Sequence, residues 1–401
     1  MKEAATLVLA STEEAPGAPT GETLLLGLPL LRRAALSAAR AGFDRVYVLN
    51  GAGGSASGIL EGTGAQTFPR DGIDSALPPG RIVLLPDRVA ASPAWLRSVR
   101  DAPAETGRLY RFGAGAIVQT PEPAPLARAL ARGPRLDSVV SEWAAVLPAA
   151  AVADLSVAPP LEVTSDAQLA DAETRLLEGL RKKEDGLLTR LISRRISLAV
   201  TRRLAGTGVT PNAMTLVCLA LGLGAAWSFA SPALSRQIVG GALFLLHSIL
   251  DGCDGELARL KFRESRAGGV LDFFGDNAVH VAVFSGMAIA WSRAVGQPWP
   301  LILGALAVAG TILCAGFIYL YAMRPRPGGG PILTTVSPER RSRLAHVLDT
   351  LARRDFIYFV MILALFGKAY WFLAPTAIGT PAFFVALVVM ALGARRSVAF
   401  T

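Results

Sequence analysis

The sequence predicts an α-helical polytopic membrane domain of six transmembrane helices, preceded by a soluble α/β domain. Three observations predict it. Of 401 residues, 52% are hydrophobic and 18% charged, mean hydropathy is +0.43, and the apolar excess lies almost entirely beyond residue 210. Before about residue 165, short β-rich runs alternate with helical segments. The basic residues gather on one side of the apolar stretches. Such a composition excludes disorder and argues against an ordinary soluble enzyme. Lys and Arg total 40 against 31 Asp and Glu, a formal +9, which directs attention to anionic partners: a membrane surface, nucleotide phosphates or nucleic acid. Cys218, Cys253 and Cys314 sit in apolar stretches without paired spacing, so neither a disulfide framework nor a zinc site is expected.

The first twenty residues contain TLVLA, too short for a signal-peptide core, followed at once by acidic residues; the front of the protein is expected in the cytosol. Through residue 165 the runs TLVLA, RVYVL, RIVLLP, RLYRF and AIVQT read as strands, with PLLRRAALSAARAG and SPAWLRSVR as helices between them. That alternation predicts a layered α/β domain over 1–165. Residues 166–208 read as a polar linker helix, DAQLADAETRLLEGLRKKEDG, followed by a juxtamembrane helix. The latter mixes apolar residues with Arg190, Arg194, Arg195, Arg202 and Arg203, as an amphipathic helix on an anionic bilayer does; a solvated basic helix packed on protein is the alternative.

Residues 209–401 hold apolar stretches at about 211–230, 236–257, 269–292, 299–323, 355–374 and 380–394, most of them near the ~20 residues a bilayer core demands. Six spans from a cytosolic start put both termini inside. Arg181, Lys182, Lys183, Arg259, Lys261, Arg263, Arg266, Arg324, Arg326, Arg340, Arg341, Arg343, Arg353, Arg354, Arg395 and Arg396 then fall inside, leaving little more than Arg236 and Arg293 outside. This is a strong positive-inside bias; the protein is expected in the inner (cytoplasmic) membrane with both termini and the active site on the cytoplasmic side.

The chemical signal is LDGCDGELARLKFRESRAGGVLDFFGD, Leu250 to Asp276. Asp251 and Asp254 lie three apart, with Gly255 and Ala258 continuing the face; Gly268, Asp272 and Asp276 are spaced by four, so each set forms a helical stripe. A tight loop joins the two helices as an antiparallel pair, and four carboxylates can converge. Helix caps and loop ion pairs explain one or two such aspartates, but not four. That much charge in low dielectric requires a cation, and oxygen ligands suit Mg²⁺, Mn²⁺ or Ca²⁺. Two metals would suit phosphate oxygens during in-line displacement.

These residues match in full the pattern D-x2-D-G-x2-A-R-x8-G-x3-D-x3-D of the CDP-alcohol phosphotransferases, at Asp251, Asp254, Gly255, Ala258, Arg259, Gly268, Asp272 and Asp276. The chain is therefore similar to that family, and the resemblance implies a six-helix membrane enzyme, usually a homodimer. Such an enzyme moves a phospho-alcohol from a CDP-alcohol to a hydroxyl acceptor and releases CMP. It further implies that Asp251, Asp254 and Asp272 hold divalent metal (Mg²⁺ or Mn²⁺, two ions). It implies too that Asp276 lies near the metals and serves as the base, and that Gly255, Ala258, Arg259 and Gly268 line the CDP-alcohol pocket. No nucleic acid is implied.

The preceding stretch resembles the family's inositol-phosphate branch, such as the di-myo-inositol-phosphate phosphate synthases, at Lys182, Asp185, Gly186, Thr189 and Arg190, followed by Thr210-Pro211-Asn212. Thr210 as N-cap and Pro211 as first helical residue also have a purely local logic. Candidates for gripping an acceptor phosphate are Arg194, Arg195, Arg202, Arg324, Arg326 and Arg354, each equally explained by positive-inside anchoring.

In that branch a nucleotidyltransferase often precedes the membrane domain. Residues 1–165 resemble it, Rossmann-like, in TLVLA, in the Gly27–Ala34 segment and in Asp87 closing a strand. The glycine-rich phosphate loop after the first strand is replaced by STEEAPGAPTGETLLLG, where Glu13 and Glu14 repel phosphate; the resemblance therefore implies a degenerate domain. The Gly-rich NGAGGSASGILEGTG lacks a phosphate-loop pattern and reads as a connection. Rival readings are a phosphatidyltransferase using CDP-diacylglycerol, a divalent-cation or small-molecule transporter, and a catalytically silent anchor.

Overall fold

The computed structural model describes residues 4–12, 17–49, 56–69, 73–133, 135–151, 161–180, 189–323 and 355–398. Glu13, Glu14, residues 50–55 of the Gly-rich connection, Arg181, Lys182, Lys183, Asp185, Gly186, and every basic residue from Arg324 to Arg354 lie outside them, as do the side chains of Arg190, Arg395 and Arg396. The chain divides into two units, Met1–Leu180 and Arg181–Thr401.

In the first unit all five β-rich runs become strands of one seven-stranded sheet. Its strands are β1 (Ala4–Ala10), β2 (Arg45–Val48), β3 (Gln66–Thr67), β4 (Gly80–Pro86), β5 (Leu109–Phe112), β6 (Gly115–Thr120) and β7 (Ala149–Ala151). They lie in the order β3-β2-β1-β4-β6-β5-β7. The sheet is mixed: β1 runs parallel to β2 and β4, while β6 is antiparallel to both β4 and β5.

The helices of this unit are α1 (Leu30–Ala41), α2 (Ala56–Leu60), α3 (Pro93–Asp101), α4 (Ala124–Arg132), α5 (Leu136–Val146) and α6 (Asp166–Glu178). Leu7 and Leu9 of β1 pack with Ala34, Ala38, Trp95 and Val99 of α1 and α3. Val8 and Ala10 face Leu126, Leu130, Val139 and Trp143 of α4 and α5. Helices on both faces explain why TLVLA is continuously apolar rather than alternating. Ser92 caps α3, accepting from the Trp95 amide at 3.2 Å. A hairpin turn at Leu26 and Gly27, with φ of 49° and 79°, is pinned by the buried Arg33, which donates to the Leu25 carbonyl at 2.8 Å; burial lowers the Arg33 guanidinium to about 10.

The second unit begins with a π turn, Thr189–Ser193, and α7 (Arg194–Ala205). Then follow α8 (Pro211–Phe229), α9 (Leu234–Leu260), α10 (Arg266–Val295), α11 (Trp299–Ile318), α12 (Phe356–Leu365) and α13 (Leu373–Val398). Thr210 caps α8 as its sequence requires, its hydroxyl accepting from the Ala213 amide at 3.2 Å.

Among the described residues five helices are long and apolar enough to cross a membrane: Pro211–Phe229, Leu234–Leu260, Arg266–Val295, Trp299–Tyr321 and Ala369–Leu392. This multi-pass arrangement differs from six uniform spans at the stretch 355–374. There α12 stops after ten residues and Gly367 turns the chain with φ 66°. The Gly367 and Lys368 amides cap the Ala364 and Leu363 carbonyls, and Ala369–Phe372 opens the last span. Hydropathy sums composition across such a turn and cannot see it.

Helix contact is close where side chains are small. A Cβ on Gly222 would overlap Val279, and one on Gly286 would overlap the Ala226 carbonyl, so α8 and α10 meet at backbone distance. One end of the bundle carries cations on aromatic rings. The Arg236 guanidinium lies 3.6 Å from the Trp227 ring centroid, and Lys368 lies 5.4 Å from that of Trp371, the residue types of a membrane interface. The aspartates lie at the opposite end. Leu234 to Asp251 spans 17 residues, about 26 Å at 1.5 Å per residue. Val295 back to Asp276 spans 19 residues, about 29 Å on the same rise.

Candidate active site

The site forms where the C-terminal end of α9 meets the start of α10. Ser265 begins α10, its hydroxyl accepting from the Gly268 amide at 3.0 Å. Phe262 closes the loop with φ 55°, a conformation usually left to glycine. This tight connection turns the two acidic stripes toward each other. One carboxylate oxygen each from Asp251, Asp272 and Asp276 lies within 4.8 Å of the others. Asp251 is buried and the other two are half-buried. Asp254, also buried, accepts from the Thr215 hydroxyl of α8 at 2.6 Å and from the Gly255 amide; with Asp272 it borders the adjoining cavity.

The donor set fits Mg²⁺ or Mn²⁺: hard carboxylate oxygens, mutually repulsive unless a cation neutralises them.

Beside the carboxylates is a cavity of about 240 Å³. Gly255, Ala258, Arg259 and Gly268, the four residues expected from the motif, all line it, together with Pro211 and Asn212. Sequence reasoning did not single out Thr215, Arg263, Glu264, Ser265 and Gly269, which line it too. Only loop or helix-start position could have marked them. The absence of a side chain at Gly268 matters, since a Cβ there would lie 3.0 Å from Ser265 Oγ and 3.1 Å from Asn212 Oδ1. Gly268→Val should fill this space and weaken CMP binding about tenfold or more, a loss on the order of an overpacked site; titration calorimetry checks it.

His247 is the other neighbour that sequence reading missed, although it precedes Asp251 by four residues and so shares its helical face. Its Nδ1 lies 2.9 Å from the Cys218 carbonyl. A carbonyl only accepts, so Nδ1 carries the hydrogen and Nε2 faces Asp276 Oδ1 at 3.7 Å. The Asp276 carbonyl accepts from His280 Nδ1 at 2.8 Å.

Of the candidate acceptor arginines, Arg194 is buried and donates to Glu256, itself fully buried. Ser197 and Thr201, one and two turns on, add hydroxyls to the same carboxylate at 2.9 and 2.6 Å. Arg195 and Arg202 lie on the exposed face of α7, and Arg324, Arg326 and Arg354 are outside the described residues. Thr189 donates through its amide and hydroxyl to Asp355 Oδ1, at 3.2 and 2.9 Å. Lys261, just past α9, directs its ammonium at the carbonyls of Thr207 (2.7 Å), Val209 (3.0 Å) and Leu204 (3.4 Å). Burial, and secondarily Arg263, lowers its pKa below the ordinary lysine range.

Residues 208–338, which contain all eight motif positions, match the family model of CDP-alcohol phosphatidyltransferase. The chain carries a CDP-alcohol phosphatidyltransferase domain. Curated relatives that the chain matches in part are named as transferases and synthases. A bifunctional IPC transferase and DIPP synthase of Rubrobacter xylanophilus is 34% identical over 160 residues, 39% of this chain and 36% of that protein. An archaetidylinositol phosphate synthase of Pyrococcus horikoshii is 32% identical over 90 residues, 22% of this chain and 46% of that protein. The matched part thus spans less than half the length of each. The phosphatidylinositol phosphate synthase of Mycobacterium tuberculosis, solved with CDP-DAG bound, is 21% identical, with a TM-score of 0.34 over 48% of this chain and 94% of that one.

Proposed function

We propose that the phosphatidyltransferase domain transfers a phospho-alcohol from a CDP-alcohol to a hydroxyl on an inositol-phosphate-type partner and releases CMP. The observation that carries this reading is three clustered carboxylates beside a cavity lined by the four fixed non-acidic residues of the motif and by Asp254 and Asp272. The names of the relatives point to inositol-phosphate chemistry.

Divalent metal held by Asp251, Asp254, Asp272 and Asp276 would neutralise the diphosphate of the donor. Gly255, Ala258 and Gly268 leave room for the nucleotide to approach the helix backbones, and Arg259 brings positive charge to its phosphates. Asp276 accepts the proton of the acceptor hydroxyl. The oxygen so freed bonds to the phosphorus bearing the alcohol, the bond from that phosphorus to the CMP oxygen breaks, and CMP leaves as an anion. A lipid-linked donor, CDP-diacylglycerol, is the second reading; the archaetidylinositol phosphate synthase among the relatives is named for a lipid product.

In this reading α12 counts as the sixth span, both termini and the aspartates face the cytoplasm as the basic residues favour, and the protein works as a homodimer in the inner membrane. Residues 1–165 act as a degenerate nucleotidyltransferase-like domain and 166–208 as its link to the membrane domain at 209–401. Tight CTP binding with turnover by the full chain would overturn the degenerate assignment.

The test offers purified protein a panel of CDP-alcohols and hydroxyl acceptors, with mass-spectrometric detection of products. CMP release should fall to background with EDTA and return with excess Mg²⁺ or Mn²⁺. Metal flux into liposomes without CMP release would favour the transporter instead.

A further inference from the structure

Lys261 falls among the unspecified positions of the motif, between Arg259 and Gly268, and it does not line the cavity. Its ammonium instead ends at three backbone carbonyls, of Leu204, Thr207 and Val209. These belong to the end of α7 and to the loop that leads into α8. An ammonium has three N–H donors and no acceptor, so one side chain satisfies three carbonyls converging from a turn. The same loop bonds to itself through Thr207, whose hydroxyl donates to the Leu204 carbonyl at 2.8 Å and accepts from the Val209 amide at 3.3 Å. Two residues after Val209 the chain reaches Pro211 and Asn212, which form the wall of the cavity facing Gly268.

From this geometry we infer that Lys261 is a positioning residue for the nucleotide. It ties the α7–α8 loop to the end of the motif helix and so fixes the distance between the Pro211–Asn212 wall and the Gly255–Gly268 side. Seven residues before Lys261, Asp254 is tied to Thr215 of α8, so the two sides are joined by a contact in the cavity lining and by a second one outside it. The fork of an arginine cannot reproduce a three-way ammonium contact. Charge alone is therefore not what the position supplies. The inference rests on the proposed function for the identity of the nucleotide.

The experiment measures CMP binding to the full chain in detergent with Mg²⁺, by titration calorimetry, with the melting temperature recorded for each variant. Lys261→Met, which keeps the stem and removes the donors, should weaken CMP by about tenfold, the scale of a misplaced binding wall. In turnover it should raise KM for the donor while leaving kcat at saturation within about twofold, because a positioning loss of this kind is uniform binding lost. Lys261→Arg should recover less than half of the affinity. Thr380→Val, which removes a hydrogen bond to the Ala307 carbonyl between α11 and α13, controls for lost stability and should leave CMP affinity unchanged. Unchanged CMP affinity in Lys261→Met, full recovery in Lys261→Arg, or equal weakening in Thr380→Val would each overturn the inference. A wild-type protein that binds no cytidine nucleotide would instead overturn the function proposed above.

Discussion

The Asp276→Asn variant is expected to lose about 10²–10⁴-fold in CMP release, the range general-base removal produces. Asparagine keeps the shape of the side chain and an oxygen able to face the metal and His247, yet it cannot take a proton from the acceptor hydroxyl. Single-turnover CMP release at saturating donor and Mg²⁺ measures it. Asp272→Asn should lose activity differently. Its carboxylate lies within 4.8 Å of two others, so weakening one ligand should raise the Mg²⁺ requirement about 10–100-fold, the scale seen for lost metal-site support. Added metal should then recover part of the rate in Asp272→Asn and none in Asp276→Asn. Activity within tenfold of wild type in both variants would remove these carboxylates from the chemistry.

Glu256→Ala should be the most destabilising single change near the site, by about 3–5 kcal/mol, as breaking a buried ion pair typically is. Glu256 is fully buried and its partner Arg194 nearly so; truncation removes the carboxylate that the Arg194 guanidinium and two hydroxyls share at the α7–α9 contact. Replacing both partners by apolar residues of similar volume, Arg194→Met with Glu256→Leu, should recover most of the loss, because no charge is then left at this contact. Thermal unfolding in detergent reads both variants. A Glu256→Ala melting curve equal to wild type would mean that this contact does not hold the two helices together.

Much of this molecule is legible in its residues because each clear signal has one physical cause. The five strand runs of the first unit are found where they are read, since β-branched and aliphatic runs bounded by turn residues have few other solutions. The acidic stripes converge because spacings of three and four fix a helical face, and a short loop permits only an antiparallel return. Arg194 was less legible: its composition fits a lipid-facing or phosphate-binding role, and only the placement of Glu256 on a neighbouring helix reveals the ion pair. His247 and Lys261 carry no local pattern of their own, for their partners are the carboxylate of another helix and backbone carbonyls of a distant loop. The break at Gly367 was hidden for a different reason, since an apolar average does not register a single left-handed residue.

The height of the carboxylates along α9 and α10 sets how the two substrates meet. Counted from the end that carries Trp227 and Arg236, they stand about one hydrocarbon thickness away, close to 30 Å. A donor anchored by acyl chains can thus offer its diphosphate without withdrawing its tails from the oily layer, and a polyol phosphate can arrive without leaving water. On the proposed function the transfer would run at the boundary between two solvents, with neither reactant entering the other's phase.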